Sequence, residues 1–169
     1  MILTIYEGTT AIQANDLVGR KTVRDGGATA RAILAQVRAT EADLAELCAG
    51  AHGADFTAIL HHLAVASTAL EAVIEYIVAN AKTDVKAVYA GSVPYLRLAG
   101  IVLGGWQMAR AAIVAQQKLA RQAADAAFYL AKIGTARFFA DHVLSRAPGL
   151  RSAIVGGSAG VLALSIHQF

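Results

Sequence analysis

The stretch ATARAILAQVRATEADLAELC, residues 28–48, decides the fold class. Its apolar side chains recur at the 3.6-residue period of a helix, and charged side chains fill the positions between them. The apolar face holds Ile33, Val37, Leu44 and Leu47, and the charged face holds Arg31, Arg38, Glu41, Asp43 and Glu46. This pattern predicts a surface helix that buries one face.

Helices are predicted on both sides of this stretch, separated by glycine- and proline-containing breaks. Thr9 or Thr10 caps the first, Asp55 the helix after residue 55, and Asp84 the one after that. The predicted helices cover residues 11–21, 28–48, 56–82, a short stretch after 84, 94–120, 121–144 and 150–164; the predicted breaks are Asp25-Gly26-Gly27, Gly50 to Gly53, Gly91 to Pro94, Ala147-Pro148-Gly149 and Gly156-Gly157. The fold class is therefore predicted to be all-α, an antiparallel bundle of about five to six helices preceded by a loop-helix segment that ends at Gly27.

Three glycines interrupt the apolar helix predicted over residues 94–120: Gly100, Gly104 and Gly105. Each costs roughly 1 kcal/mol relative to alanine in a helix interior. We expect another backbone to pass close to them, because a glycine leaves room for such an approach.

The composition indicates a packed helical chain with more apolar surface than one small domain hides. Of 169 residues, 38 are Ala, 56% are hydrophobic and only 16% are charged, and the mean hydropathy is +0.50. A membrane span needs about 20 nearly uncharged apolar residues, and no run of that kind occurs. The N-terminus also lacks the basic region of a signal peptide. We therefore expect no membrane span, and a second surface that covers the excess apolar area.

Several other classes of function find little support. A lone cysteine, Cys48, fits a reducing cytoplasm and forms no internal disulfide. The net charge of +3 is spread along the helices, so nucleic-acid binding is not predicted. No metal site is predicted either: His61 and His62 are adjacent, Glu71 and Glu75 fit a solvated helix face, and Asp141-His142 is a sequence neighbour pair without a Gly-x-Ser-x-Gly motif.

Glu7 is the one candidate for chemistry that the residues suggest. It ends the apolar run that starts at Ile2, it precedes Gly8, and it opens a helix. Apolar neighbours raise the pKa of a carboxyl group toward the range of a general base, and the free N–H groups of a helix start bind anions. The same setting fits an ordinary glutamate at a helix entry, and the residues alone leave both interpretations open.

The stretch Ile5-Tyr6-Glu7-Gly8-Thr9-Thr10-Ala11-Ile12-Gln13 resembles the signature of the acyl-CoA dehydrogenase family around its catalytic base. The resemblance covers nearly the whole chain. The chain is similar in particular to the bacterial subgroup with an extra C-terminal helical region, which includes the 3-methylmercaptopropionyl-CoA dehydrogenases. Further matching stretches are Asp16 to Lys21, Asp25-Gly26-Gly27, Val93 to Leu98, Gly104-Gly105-Trp106 and Ala147 to Arg151.

The resemblance implies oxidation of an acyl-CoA thioester to the α,β-enoyl-CoA, as in fatty-acid breakdown. Glu7 would be the catalytic base that takes the α-proton, while the β-hydride passes to the cofactor FAD. Gly8 would contact the acyl-CoA substrate, and Thr9 and Thr10 would bind FAD. Ala11 and Ala14 depart from the family pattern, in which many members carry polar side chains at those two positions.

The resemblance also implies that family members place two further domains before this motif. Residues 1–27 would then end the catalytic helical domain, and residues 28–169 would form the C-terminal helical extension. The isolated chain is expected to be an inactive fragment of a cytoplasmic flavoprotein that does not retain FAD. Its partners would be the missing N-terminal domains and a second copy in a homodimer. The alternative is a non-catalytic helical module for dimerisation or interaction, which needs only the helices after Gly27.

Overall fold

The computed structural model describes residues 9–168, and every regular element in that range is helical. The predicted all-α helical fold is confirmed. The helices are α1 (Thr10–Asp16), which continues as a π-helix (Leu17–Val23), α2 (Ala28–Leu47), α3 (Gly53–Asn80), α4 (Val85–Ala90), α5 (Ser92–Ala120), α6 (Ala126–His142), α7 (Ala147–Gly156) and α8 (Ser158–Val161), with 3₁₀ turns at Leu144–Arg146 and Ile166–Gln168.

The helices form two compact units. Within the described part of the chain, the first unit comprises residues 9–33, 69–99 and 148–168, and the second comprises residues 34–68 and 100–147. The predicted division at residue 27 remains a prediction, since it concerns domains of a longer enzyme.

The first unit packs the segment before α2 against parts of α3, α5 and α7. Its core consists of fully buried aliphatic side chains and one tyrosine: Val18, Val73, Ile74, Ile77, Val88, Tyr95, Leu98 and Ile154. Gly91 packs against this core so closely that a methyl group on it would stand 2.9 Å from Ile154 Cγ2.

The second unit is built from four helical stretches that belong to α2, α3, α5 and α6. Its largest buried side chains are Leu44, Phe56, Ile59, Leu63, Ile133 and Leu144. Polar contacts join its helices in pairs: Trp106 Nε1 donates to Thr40 Oγ1 at 2.7 Å, and Arg137 on α6 pairs with Asp55 on α3 at 3.5 Å.

Some helix boundaries differ from those predicted. Asp55 lies in the first turn of α3 and not at its N-cap, because the helix begins two residues earlier, at Gly53. Helix α6 begins at Ala126 and not at residue 121, since Gln122 and Asp125 have left-handed backbones with φ of 53° and 65°. Ala147-Pro148-Gly149 starts α7 instead of ending a helix, because proline is tolerated in a first turn.

Other boundary predictions are confirmed. Asp84 caps α4, with its Oδ1 accepting a hydrogen bond from the Ala87 N–H at 3.1 Å. Gly156 ends α7 and Gly157 precedes α8, so the predicted break at these two glycines is present.

The buried face of α2 is displaced by one residue at its start. Ile33 is 37% exposed, whereas Leu34 is buried at 4%. Val37 and Leu44 are fully buried as predicted, and Leu47 is half-buried. The predicted helical period of the apolar residues was correct. Because residues 33 and 34 are both apolar, the sequence did not determine which of the two lies on the buried face.

Two of the three glycines of α5 face side chains, and not the backbone that we expected from the sequence. A methyl group on Gly104 would stand 3.1 Å from the Phe139 ring, and one on Gly105 would stand 2.6 Å from Leu144 Cδ2. Among the residues that the structure describes, none has an atom within 4 Å of the same position on Gly100. Gly105 is therefore the tightest contact of the three, and Gly100 has open space.

Two helices reach the length and hydropathy of a membrane span, which the search for uninterrupted apolar runs did not anticipate. These are α3 and α5, each with a window of mean hydropathy 1.4, of which 44% and 39% respectively is buried within the structure. Core helices often satisfy the same criteria, and these two supply much of the buried side-chain surface of both units. Length and composition are thus weak support for a span.

Candidate active-site segment

The segment that the sequence linked to catalysis enters the structure at Thr9. Glu7 and Gly8 lie outside the described residues. Thr9 occupies the N-cap position of α1 without a side-chain capping bond, and Thr10 is the first residue of the helix. Both threonines are exposed. A threonine therefore occupies the N-cap as predicted, but its hydroxyl does not make the capping hydrogen bond.

The helix that follows is held in the first unit by one buried face. Ala14, Val18 and Thr22 recur every four residues, and each is 0% exposed. Ile12, by contrast, is 66% exposed. Because Ala14 is buried in the core, this position offers no side chain to a ligand outside.

Residues 17–23 form a π-helix in place of a continued α-helix. The Arg24 N–H bonds to the Gly19 carbonyl five residues earlier, at 3.1 Å. A methyl group on Gly19 would stand 2.7 Å from the Tyr89 hydroxyl oxygen, so a glycine here permits the close approach of Tyr89. Single π-turns are rare and frequently occur at functional sites.

A buried hydroxyl pair locks the π-helix to α5. Thr22 Oγ1 donates to the Leu17 carbonyl at 2.9 Å and lies 2.9 Å from the Tyr95 hydroxyl. A threonine hydroxyl has one proton, so Tyr95 is the donor in the second bond. Tyr95 is only 2% exposed. Burial raises the pKa of its phenol.

The turn Asp25-Gly26-Gly27 ends the segment, as the sequence predicted. Gly26 and Gly27 have φ of 64° and 84°, in the left-handed region that glycine adopts at little cost. The Asp25 carboxylate accepts hydrogen bonds from the Gly27 and Thr29 N–H groups at 3.0 and 2.9 Å. Its bonds with Thr29 are the main reason that the pKa of Asp25 lies below its usual value.

An ion pair fastens the same turn to α3. Arg31 donates from Nε and Nη2 to the two Glu75 carboxylate oxygens at 2.7 and 2.8 Å, and from Nη1 to the Gly26 carbonyl at 2.8 Å. The hydrogen bonds from Arg31 lower the pKa of Glu75. Arg31 thus connects the turn to α3 through both the backbone and a carboxylate.

These anchoring residues were only partly visible in the sequence. Tyr95 lies in one of the stretches that resembled the family, but Thr22 carried no signal of its own. Glu75 was predicted to lie on a solvated helix face with Glu71, and its side chain is 53% exposed. Its ion pair with Arg31 from another helix is a three-dimensional contact that the sequence did not indicate.

The histidines and acids considered for metal binding are dispersed. His62 Nε2 lies 3.4 Å from Asp141 Oδ1, and Asp141 also accepts from Arg137 Nε at 2.6 Å. His61 touches the His62 ring edge-on. Among residues 9–168, no group of three or more His, Cys, Asp or Glu side chains is placed to hold a metal ion.

A match to a known protein family shows which family the chain belongs to. Residues 33–165 match the family described as acetyl-CoA dehydrogenase C-terminal like. The chain belongs to this family. That match covers the helices from α2 onward and confirms the resemblance to the C-terminal region of acyl-CoA dehydrogenases.

Two relatives extend this finding to the segment before α2. The chain is 44% identical over 165 residues to the 3-methylmercaptopropionyl-CoA dehydrogenase of Ruegeria pomeroyi, covering 98% of the chain and 27% of the relative. It is 33% identical over 160 residues to the broad-specificity linear acyl-CoA dehydrogenase FadE5 of Mycobacterium tuberculosis, covering 89% and 25%. The chain thus spans about a quarter of the length of these curated relatives.

Proposed function

We propose that this acyl-CoA dehydrogenase C-terminal region serves a flavin-dependent enzyme that oxidises an acyl-CoA thioester to the α,β-enoyl-CoA. The observation that carries the proposal is the position of the Glu7-Gly8-Thr9-Thr10 motif. It directly precedes a helix whose buried face, π-turn and Tyr95 bond fix it in the first unit. The residues just before this helix are therefore attached to a fixed element, which favours the positioning that a catalytic base requires.

Glu7 is the proposed base. Its carboxylate takes the proton from the α-carbon, and the C–H electron pair becomes part of the new double bond. Gly8, with no side chain, leaves room for the thioester beside the backbone. FAD, when bound, supplies the acceptor for the hydride that leaves the β-carbon.

Thr9 and Thr10 are the proposed FAD contacts. Both side chains are exposed at the start of α1, and hydroxyl groups and helix-start N–H groups suit the oxygens of a diphosphate. Ala14 takes no part, because it is buried. These two residues supply few of the contacts that a flavin needs, so the proposal assigns the rest of the pocket to other domains of the same enzyme.

The proposed assembly includes those domains and a second copy in a homodimer, in the cytoplasm. Large exposed side chains favour coverage of this kind: Phe138 is 61% and Val161 63% exposed. The same observation favours the alternative function, a non-catalytic helical module that binds a partner through these faces. Flavin content and turnover distinguish the two functions, because only the enzyme needs residues 7–10.

A chimera with the Ruegeria relative tests the proposal. The chain replaces the corresponding quarter of that enzyme, and FAD content and acyl-CoA-dependent reduction of an electron acceptor are measured. We expect the chimera to bind FAD and turn over. Glu7→Gln should abolish turnover and leave FAD bound, whereas Glu46→Gln, which changes an exposed acid on α2, should alter neither. Equal turnover by the Glu7→Gln and parent chimeras would refute the role of Glu7.

The isolated chain supplies the complementary measurement. We expect it to be colourless and without acyl-CoA-dependent turnover, because most of the proposed pocket belongs to other domains. Turnover equal to that of the Ruegeria enzyme would show that this chain needs no further domains.

A further inference from the structure

The second unit carries an open groove of about 420 Å³ between the C-terminal half of α5 and the start of α6. The side chains that define it are Gln107, Arg110 and Val114 from α5, and Phe128, Tyr129 and Lys132 from α6. This volume lies within the range of roughly 300–1,000 Å³ that small-molecule sites occupy. The groove is remote in sequence from residues 7–10, and the proposed function leaves it unused.

The floor of the groove is apolar and exposed. Val114 is 51% and Phe128 is 55% exposed, and Ala111 and Ala115 complete the surface beneath them. Every side chain from Ala126 to Lys132 is exposed or half-buried, so this turn of α6 adds no residue to the core. A flat apolar body that covered Val114 and Phe128 would remove that surface from water, which is favourable.

Two cations border the same floor. The Arg110 guanidinium carbon lies 5.3 Å from the centre of the Trp106 ring, and Arg110 Nη1 donates to Gln107 Oε1 at 3.0 Å. Lys132 Nζ lies 5.0 Å from the centre of the Phe128 ring. Both cations therefore rest on aromatic faces beside the groove. Within residues 9–168, neither forms an ion pair with a carboxylate.

We propose that this groove is a binding site for a small organic anion with an aromatic or aliphatic body. The body would lie on Val114 and Phe128, and the anionic group would pair with Arg110 and Lys132. Arg110 retains most of its five donors and Lys132 its three, and cations of this kind form strong hydrogen bonds to anionic oxygens. Tyr129 adds a further polar side chain to the lining.

Charge decides against a second copy as the occupant. A symmetric contact through this groove would place Arg110 and Lys132 of one copy against the same two cations of the other. Like charges that meet in an interface are repulsive. An anion supplies the missing opposite charge, and the volume suits a single small molecule.

Binding of 1-anilinonaphthalene-8-sulfonate to the full chain tests the proposal, since this probe joins an aromatic body to one anionic group. Fluorescence titration should show saturable binding of one molecule per chain. The neutral analogue N-phenyl-1-naphthylamine, which lacks the sulfonate, should bind more weakly by about fivefold or more, as expected when one favourable charge contact is lost.

Substitutions assign the site. Arg110→Gln and Lys132→Gln should each weaken sulfonate binding by about fivefold, the equivalent of one lost ion pair, and should leave binding of the neutral analogue unchanged. Lys86→Gln removes an exposed cation from α4 in the first unit and serves as the matched control. Far-ultraviolet circular dichroism confirms that each variant folds.

Four results would overturn the proposal. The first three are absence of saturable binding, equal affinity for the sulfonate and its neutral analogue, and a weakening by Lys86→Gln equal to that by Arg110→Gln or Lys132→Gln. If the probe binds only after self-associated chains are diluted apart, the groove is covered by a second copy, and the proposal is equally wrong. FAD content and turnover of the chimera play no part in this test, so the two proposals fail independently.

Discussion

The Tyr95 hydroxyl donates a hydrogen bond to Thr22 Oγ1 across 73 positions of sequence, with the two oxygens 2.9 Å apart. Thr22 Oγ1 in turn donates a hydrogen bond to the Leu17 carbonyl oxygen. This short chain of bonds joins the π-helix that follows the candidate active-site residues to the first unit. It explains why a threonine and a tyrosine, both polar, occupy positions that are 0% and 2% exposed.

Removing the Thr22 hydroxyl should cost more than removing that of Tyr95. Tyr95→Phe deletes one bond and leaves Thr22 paired with Leu17, for an expected loss of about 1 kcal/mol in unfolding free energy. Thr22→Val leaves the Tyr95 hydroxyl buried without its partner, for a loss of about 1–3 kcal/mol. Urea unfolding measures both. Tyr76→Phe is the control, since its half-buried hydroxyl forms no hydrogen bond within the described part of the chain. Equal losses from all three changes would contradict the bond.

Alkaline pH should destabilise the chain through Tyr95. Burial raises the pKa of this phenol above its ordinary 10.0, so the folded chain holds the proton more tightly than the unfolded chain does. The resulting stability is fully present below pH 10 and is lost as the pH rises through the folded pKa. Urea unfolding between pH 8 and pH 11 should therefore show a steeper decline for the parent chain than for Tyr95→Phe. Parallel declines would exclude this role for Tyr95.

Two glycines of α5 should respond in opposite directions to the same substitution. Gly105→Ala forces a methyl group to within 2.6 Å of the buried Leu144 side chain, and overpacking of this kind costs about 1–3 kcal/mol. Gly100→Ala meets no atom of residues 9–168 within 4 Å and should stabilise the helix by about 0.5–1 kcal/mol. Thermal unfolding of both variants provides the comparison, in which each serves as the control for the other. A shift of the same sign in both would be inconsistent with the packing described.

The Arg31–Glu75 pair should give a small, salt-sensitive contribution to stability. Both side chains are about half exposed, and exposed pairs are weakened by solvent and salt. The pKa of Glu75 is lowered from 4.5, so the stability from this pair is present above that value and disappears as the pH falls through the folded pKa.

Glu75→Gln tests the pair. Its loss of unfolding free energy at neutral pH should shrink in 1 M salt and vanish in acid. Glu46→Gln, a change at an exposed acid of α2, should show no such dependence. A loss that persists unchanged in high salt would argue for packing instead of charge.

The sequence predicted the helical period of the apolar residues, the turns that end helices and the helix caps, because each of these depends on neighbouring residues. The helices over 28–48 and 94–120 were predicted within a few residues, and the glycines at 26 and 27 marked a turn that needs positive φ. Asp84 was predicted as a cap for the same reason, since its carboxylate serves an N–H three residues away. Family membership also followed from local motifs.

Only the tertiary structure decided which face of each helix is buried, which distant side chains make contact and which surfaces are exposed. Ile33 and Leu34 have nearly the same hydrophobicity, and only packing against other helices buries the second. Thr22 bonds to Tyr95, Glu75 pairs with Arg31 and Gly105 faces Leu144. Each of these contacts joins residues at least 39 positions apart in sequence, so no local pattern indicates it. The groove beside Phe128 likewise exists only because α5 and α6 pack with Arg110 and Lys132 on one surface. The sequence thus determined which stretches are helical, because helix formation is local, while the tertiary structure decided which faces are buried and which charges meet, because those depend on distant residues.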